Sequence, residues 1–290
     1  MAHQERKKIM KTWKKIVLGV SLISLFLGGG LVAWGYSQGG LTDLQNQTKS
    51  EQDYVKKEVN DFNKIDIKSS SYNVLIKNGD VDKATLSYYQ KTKNPIDTSV
   101  KDGQLTINDS NSELDSTSNK HINFFGIKDL VRLSTLNEEV RNKTIVITLP
   151  KKQTIDFLKV DLATGNLDLS NSTIKQADIN LNVGDLTFTK MIVSNLKANL
   201  DVGSVDSNHT LFTNSDLSIA MGDYSGDNLI FNGHNKLDVT SGDIEIALKD
   251  YTLNVQADSH SGEVDITNNL KISKDNTLTI TSDLGDITVE

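Results

Sequence analysis

The chain contains no cysteine among its 290 residues, and its only prolines are Pro95 and Pro150. The lack of cysteine excludes disulfide bonds, thiolate zinc sites and cysteine nucleophiles. It also excludes a lipoprotein anchor, because that linkage requires a cysteine. With so little proline, the chain is not a collagen-like or proline-rich stalk. The remaining composition, 37% hydrophobic and 24% charged, is that of an ordinary folded protein.

Most of the chain also lacks the positive charge that binding to nucleic acid requires. Residues 1–40 contain six Lys or Arg and one acid, a net charge of +5. Because the whole chain carries −7, residues 41–290 carry −12. This acidity argues against nucleic-acid binding. It also argues against charge-driven binding to polyanionic wall polymers, unless cations bridge the two.

Residues 16–34 form an uncharged run of 19 residues that follows the basic N-terminal tail. A helix of that length spans roughly 28 Å, close to the ~30 Å hydrocarbon core of a bilayer. The basic tail predicts a cytoplasmic N-terminus and an extracytoplasmic remainder. A cleaved signal peptide is the alternative, but its apolar core would have about 7–15 residues. We predict a single-pass cell-membrane anchor with four segments: a cytoplasmic tail (1–15), a transmembrane helix (16–34), a linker (35–61) and a β-repeat domain (62–290).

Seven glycines recur along the second half of the chain at intervals of 19, 19, 19, 20, 20 and 23 residues: Gly165, Gly184, Gly203, Gly222, Gly242, Gly262 and Gly285. Apolar residues alternate with polar ones on both sides of each glycine, which predicts strands with one buried face. A third apolar mark follows in each repeat: Ile174, Val193, Phe212, Phe231, Tyr251 and Leu270. A glycine suits a sharp corner that needs positive φ. Polar residues follow the glycines, as expected for exposed corners.

One such unit cannot bury its own apolar face, so units must stack on one another. We therefore predict an all-β fold, a β-solenoid of 19–20-residue repeats in about ten layers, with right-handed coils favoured. Five less regular strands are predicted upstream: 65–67, 74–76, 84–86, 105–107 and 145–147. A two-sheet sandwich of hairpins is the alternative fold. Residues 286–290 are the predicted edge strand, where a second copy could pair, although flanking acids discourage such pairing.

An insert at residues 108–143 interrupts the β pattern. It contains Phe124 and Phe125 and a plausible short helix over residues 128–140. These aromatic residues could form an interaction surface, or they could cap the open end of the β core, which we favour.

No catalytic, cofactor-binding or metal-binding residue is predicted. Residues 35–39 match the G-x-S-x-G string of hydrolases, but they lack the strand and helix that this elbow requires. The histidines show no metal-ligand spacing: His3, His121, His209, His234 and His260. The corner acids supply about one carboxylate per coil, fewer than calcium-binding β-roll repeats use.

The segment at residues 62–67, FNKIDI, resembles the opening of a known bacterial domain. Residues 144–150, TIVITLP, and the corner segments 241–244 and 261–264 extend the resemblance over residues 60–290. The chain is similar to bacterial membrane-anchored envelope proteins with a domain of unknown function labelled "putative adhesin", including LiaG-type proteins. The resemblance implies an all-β repeat domain associated with envelope-stress regulation, and it carries no catalytic residues.

We therefore expect a non-enzymatic, membrane-tethered interaction or regulatory module of the cell-envelope stress response. Its partners would be envelope-stress membrane proteins or wall components. An adhesin-like binder of surface ligands is the main alternative, and a polysaccharide-active β-helix enzyme is the weaker one. Lysine far outnumbers arginine, which favours a Gram-positive source.

Overall fold

The computed structural model describes residues 52–91, 95–109 and 143–290. These residues form 25 strands and no helix, so none of them belongs to a helix that could cross a membrane. The predicted anchor at residues 16–34 lies outside the described residues. The strands are β1 (Gln52–Glu58), β2 (Lys64–Ser69), β3 (Asn73–Gly79), β4 (Thr85–Lys91), β5 (Asp97–Lys101), β6 (Gln104–Asn108), β7 (Thr144–Pro150), β8 (Thr154–Ile155), β9 (Phe157–Leu162), β10 (Leu167–Ser170), β11 (Thr173–Ile174), β12 (Ala177–Val183), β13 (Leu186–Thr189), β14 (Ile192–Ser194), β15 (Leu196–Val202), β16 (Val205–Asn208), β17 (Leu211–Thr213), β18 (Asp216–Met221), β19 (Tyr224–Asn232), β20 (His234–Ser241), β21 (Ile244–Leu248), β22 (Asn254–Ser261), β23 (Val264–Ile266), β24 (Thr277–Leu284) and β25 (Ile287–Val289).

Successive coils contribute one strand to each of three sides, as the three apolar marks per repeat predict. Side 1 precedes the corner glycine and is the ten-stranded sheet, ordered β22-β24-β20-β18-β15-β12-β9-β2-β6-β5. Side 2 follows the glycine and contains β10, β13, β16, β21 and the start of β19. Side 3 contains β8, β11, β14, β17 and the end of β19. Equivalent residues of neighbouring coils lie in register, so each apolar position continues through the stack.

The core lies between the three sides and holds a short file of aromatic rings. Phe188 from side 2 contacts Phe212 from side 3 edge-to-face at 5.2 Å, and Phe212 stacks on Phe231 at 5.8 Å. All three rings are at least 94% buried. The third apolar residue of the repeat, such as Phe212 or Phe231, therefore points into the core, because alternating side chains of a strand face opposite sides.

The alternative fold, a sandwich of hairpins, is wrong. Among the described strands, three pairings are antiparallel: β1 with β4, β4 with β7, and β5 with β6. All three lie at the N-terminal end of the stack, and every other pairing between named strands is parallel. The all-β prediction is confirmed, and the five upstream segments correspond to β2, β3, β4, β6 and β7, with Ala84 directly before β4.

The described domain begins earlier than the predicted boundary at residue 62. Strand β1 starts at Gln52 and pairs along its full length with β4, with Val55 opposite Tyr88. Residues 52–58 were predicted as part of the linker because their apolar face is thin. A strand at the edge of a sheet needs few apolar residues, since only part of it faces the core.

The C-terminal coil does not end the stack, which corrects the prediction that residues 286–290 form its edge. We name three coils by their residues: coil A (234–253), coil B (254–276) and coil C (277–290). Strand β24 of coil C pairs with β20 of coil A and with β22 of coil B. Strand β25 likewise pairs with both β21 and β23. The last coil of the chain is thus inserted between the two coils that precede it.

On side 3, coils A and B meet directly. Leu253 N donates to Lys271 O at 3.0 Å, and Lys271 N donates to Tyr251 O at 2.8 Å. The two longer coils therefore enclose the short one, and the outer coil of the stack is coil B.

The corner glycines lie where neighbouring coils approach most closely. Six of the seven have φ between +143° and +150°, and Gly262, in the outer coil B, is the exception. A Cβ on Gly203 would lie 2.0 Å from the carbonyl oxygen of Gly184 in the preceding coil. Positive φ and this backbone contact both require glycine.

Candidate functional site

The residue after each corner glycine belongs to a hydrogen-bond ladder that runs along the stack. Its side-chain oxygen accepts a hydrogen bond from the backbone N–H of the equivalent residue in the next coil. The donor and acceptor pairs, 2.8–3.3 Å apart, are Asn166–Asn73, Asp185–Asn166, Ser204–Asp185, Asp223–Ser204, Asp243–Asp223, Asp286–Asp243 and Glu263–Asp286. The sequence analysis predicted only exposed polar turn residues. The signal it missed is that Asn, Asp and Ser side chains readily accept backbone hydrogen bonds.

The ladder accounts for the corner acids without a metal ion. Each coil supplies one such side chain, whereas Ca²⁺ takes about six to eight oxygen ligands. Over the three described ranges, no group of three or more His, Asp and Glu side chains is placed to hold a metal ion.

The histidines among the described residues lie on the surface. His209, His234 and His260 are exposed. His3 and His121 lie outside the described residues, as do the G-x-S-x-G string at residues 35–39 and the aromatic pair Phe124 and Phe125.

A shallow groove of about 170 Å³ runs along the corner between sides 2 and 3. Its basic side chains are Lys190, His209 and Lys249. Lys190 and His209 have φ of 53° and 51°, a left-handed conformation that Asn171 and Asn228 adopt in other coils. The exposed acids Asp227 and Asp250 are chain neighbours of this corner and offset its positive charge. The groove therefore has no clear preference for an anion.

Asp168 is a buried carboxyl group at an outward-facing position of side 2. Only 2% of its surface is exposed, and the residues beside it, Leu75 and Thr187, are 4% and 5% exposed. Burial raises the pKa of Asp168 to about 6, although Lys77 acts in the opposite direction. The charge of this group therefore changes at mildly acidic pH.

The N-terminal end of the stack, which we call the closed end, has a polar contact between its two edge strands, β1 and β5. Lys57 lies opposite buried Leu86, so it points inward from the edge. Its ammonium group donates a hydrogen bond to the hydroxyl of Thr98, which lies opposite buried Ile107 on the other sheet. An inward-pointing charge on an edge strand discourages the addition of another strand.

The C-terminal end, formed by coil B, is open. Val264 is 41% exposed, although its in-register partners in the next two coils, Ile287 and Ile244, are each 1% exposed. Val255 and Ala257 are only partly buried in the same way, opposite Leu278 and Ile280. Within the described part of the chain, nothing pairs with the outer edges of β22 and β23. The end of the apolar core therefore faces solvent here.

Coil B carries negative charge around this open end. Asp258 and Asp265 lie at outward positions of β22 and β23, and Glu263 lies at the corner between the strands. All three are exposed. Residues 254–266 contain no Lys or Arg and carry a net charge of −3, and Lys271 and Lys274 follow later in the same coil.

Comparisons with known proteins place this domain in a family. The family described as Toastrack DUF4097 matches residues 62–290. No curated protein matches the chain.

Three solved structures with a similar fold are a "putative adhesin" from Bacteroides fragilis, a "putative cell adhesion protein" from Clostridium sporogenes and a "putative lipid binding protein" from Parabacteroides distasonis. The first has 16% identity and a TM-score of 0.43, and it covers 83% of this chain and 98% of its own. The second has 16% identity and a TM-score of 0.38, with 82% and 99% covered. The third has 13% identity and a TM-score of 0.38, with 83% and 98% covered. At these values no function is transferred from them.

The family match covers more than half of the chain. The chain belongs to the Toastrack DUF4097 family.

Proposed function

We propose that this protein is a non-enzymatic interaction module that is tethered to the outer face of the cell membrane and acts in the envelope stress response. The tether is the predicted helix at residues 16–34, and the interacting part is the β-repeat domain. The regulatory role follows from the resemblance to LiaG-type envelope proteins.

The observation that carries this proposal is the difference between the two ends of the stack. The first described strand, β1, lies at the closed end, and coil B lies at the open end. Ten strands of side 1 at ~4.8 Å separate the two ends by roughly 43 Å. The open end is the surface that the proposed module would offer to a partner.

The test is a crosslinking pull-down of the full-length protein from intact source cells, with and without an antibiotic that targets the envelope. We expect membrane regulators or sensor-kinase components whose recovery changes with the drug. Recovery of only wall glycan or secreted ligands would refute the regulatory role and favour the adhesin-like binder.

A matched control tests the tether. The double substitution L25R/L27R places two charges in the anchor, at about 2.5–3.5 kcal/mol each near the centre of a bilayer. We expect the variant to leave the membrane fraction and to lose the drug-dependent partners. Unchanged membrane association of this variant would contradict the tether.

A further inference from the structure

The open end of the stack has the features of a site for strand addition. We propose that β22 and β23 bind an extended segment of a partner protein in which apolar residues alternate with Lys or Arg. This inference names the kind of partner for the interaction module and so rests on the proposed function.

The first argument is the backbone. Strand β22 has eight residues and pairs on one side with β24, and β23 pairs on one side with β25. Their outer edges offer N–H and C=O groups that a further strand can bond. The closed end differs, because there Lys57 points inward and bonds Thr98 across the two edge strands.

The second argument is the exposed end of the core. Val255, Ala257, Val264 and Ile266 continue the buried columns of the inner coils but are left partly open to solvent. A strand added in register would place every second side chain over them. Those side chains must therefore be apolar for the added strand to bury this surface.

The third argument is charge, which selects the partner. The outward side chains of an added strand would lie beside Asp258 and Asp265, with Glu263 at the corner. Opposite charges directly across a strand pair stabilise it, and like charges destabilise it. Two copies joined through their open ends would place two edges, each with a net charge of −3, against each other. A basic segment of another protein therefore fits better than a second copy.

The experiment uses the full-length protein in detergent micelles and a fluorescent ten-residue peptide of alternating valine and lysine. Its binding is measured by anisotropy and compared with two controls. The first control peptide has glutamate in place of lysine. The second has the lysine peptide's composition with all lysines grouped at one end. We expect both controls to bind at least about tenfold more weakly, since each cross-strand pair contributes up to ~1 kcal/mol.

Two variants locate the site. Val264→Lys adds an inward charge at the open edge, like that of Lys57 at the closed end, and should abolish binding of the lysine peptide. The double variant D258K/D265K should instead reverse the preference towards the glutamate peptide. Asp201→Lys makes the Asp-to-Lys change once, at an exposed position in the middle of the stack, and should leave both affinities within about twofold.

Three results would overturn the proposal. They are equal binding of the alternating and grouped peptides, unchanged binding by Val264→Lys, and dimers of the wild-type protein that Val264→Lys converts to monomers. The last would assign the open end to a second copy. Because purified protein is used, none of these results bears on the tether or on the stress response.

Discussion

Replacing Gly203 by alanine tests whether backbone contact between coils holds this fold together. The new Cβ would lie 2.0 Å from the carbonyl oxygen of Gly184, whereas C···O contacts are ordinarily about 3.3–3.6 Å. The two coils would have to separate by more than ~1 Å at this corner. The backbone hydrogen bonds that join these two coils here, from Gly184 N to Val202 O at 2.9 Å and from Leu186 N to Ser204 O at 3.0 Å, would be lost or weakened.

The expected cost combines two contributions. Two backbone hydrogen bonds contribute about 1 kcal/mol each, and forcing alanine to the φ of +147° found at Gly203 adds about 1–3 kcal/mol. The free energy of unfolding should therefore fall by roughly 3–5 kcal/mol. For a domain of this size, at about 2–4 °C per kcal/mol, that lowers the midpoint of thermal unfolding by about 6–20 °C.

Gly103→Ala is the matched control. Gly103 also has positive φ, +73°, but its nearest neighbour beyond the chain is the Asn63 side chain at an ordinary 3.4 Å. Alanine there should cost only the left-handed conformation, about 1–2 kcal/mol. Thermal unfolding followed by far-ultraviolet circular dichroism compares the two. If Gly203→Ala were no more destabilising than Gly103→Ala, the argument from close approach of the coils would fail.

Three further predictions concern stability. Ile287→Ala should lower the free energy of unfolding by about 2–5 kcal/mol, because coil C is enclosed. Val264→Ala should lower it by less than about 1 kcal/mol, because its side chain is 41% exposed. Similar losses for the two variants in urea unfolding would argue against the inserted order of coils. Phe212→Ala should cost about 3–5 kcal/mol by removing the central ring of the aromatic file, and a cost below 1 kcal/mol would contradict that packing. The pKa of Asp168, about 6 in the folded state, exceeds its ordinary value of 3.8, so the folded state binds more protons. Wild-type stability should therefore fall by on the order of 2–3 kcal/mol as the pH rises from about 4 to 6, and Asp168→Asn should not show this fall. Urea unfolding at about pH 4 and pH 6 measures this change. A rise in the free energy of unfolding over this range would contradict the prediction.

Much of the stack could be predicted because glycines and apolar residues recur at a regular interval in the sequence. The spacing from Gly165 to Gly242 matches one coil per interval, and Phe212 and Phe231 mark side 3. Each coil repeats the same alternation, so one strand assignment predicts the next. The antiparallel strands at the N-terminal end carry no such repeat.

The position of coil C could not be predicted. Val255 and Leu278 both lie seven residues before their corner glycines, so the sequence predicts that coils B and C are neighbours. The predicted edge at residues 286–290 makes coil B the neighbour of coil A on side 1, which is wrong. Both orders keep the apolar columns continuous. What distinguishes the two orders is the pairing of β24 with β20, which joins Leu237 to Ile280 across 43 residues, an interval that the 19–20-residue period does not predict.

The candidate site was missed for the same reason. The sequence predicted the edge at residues 286–290, and the inserted order moves it to β22 and β23. Once Val264 is at the edge, its exposure follows from the absence of a further coil in the described chain. The neighbouring acids Asp258 and Asp265 were visible in the sequence, but their place at the open end was not.

The most direct test of the proposed function places a photo-crosslinking amino acid at position 264 or, as a control, at position 201 of the full-length protein in intact source cells. The account predicts crosslinks to an envelope membrane protein from position 264 only, through a basic extended segment, with a yield that changes under an envelope-targeting antibiotic. Equal crosslinking from both positions, or a yield that the antibiotic does not change, would contradict it.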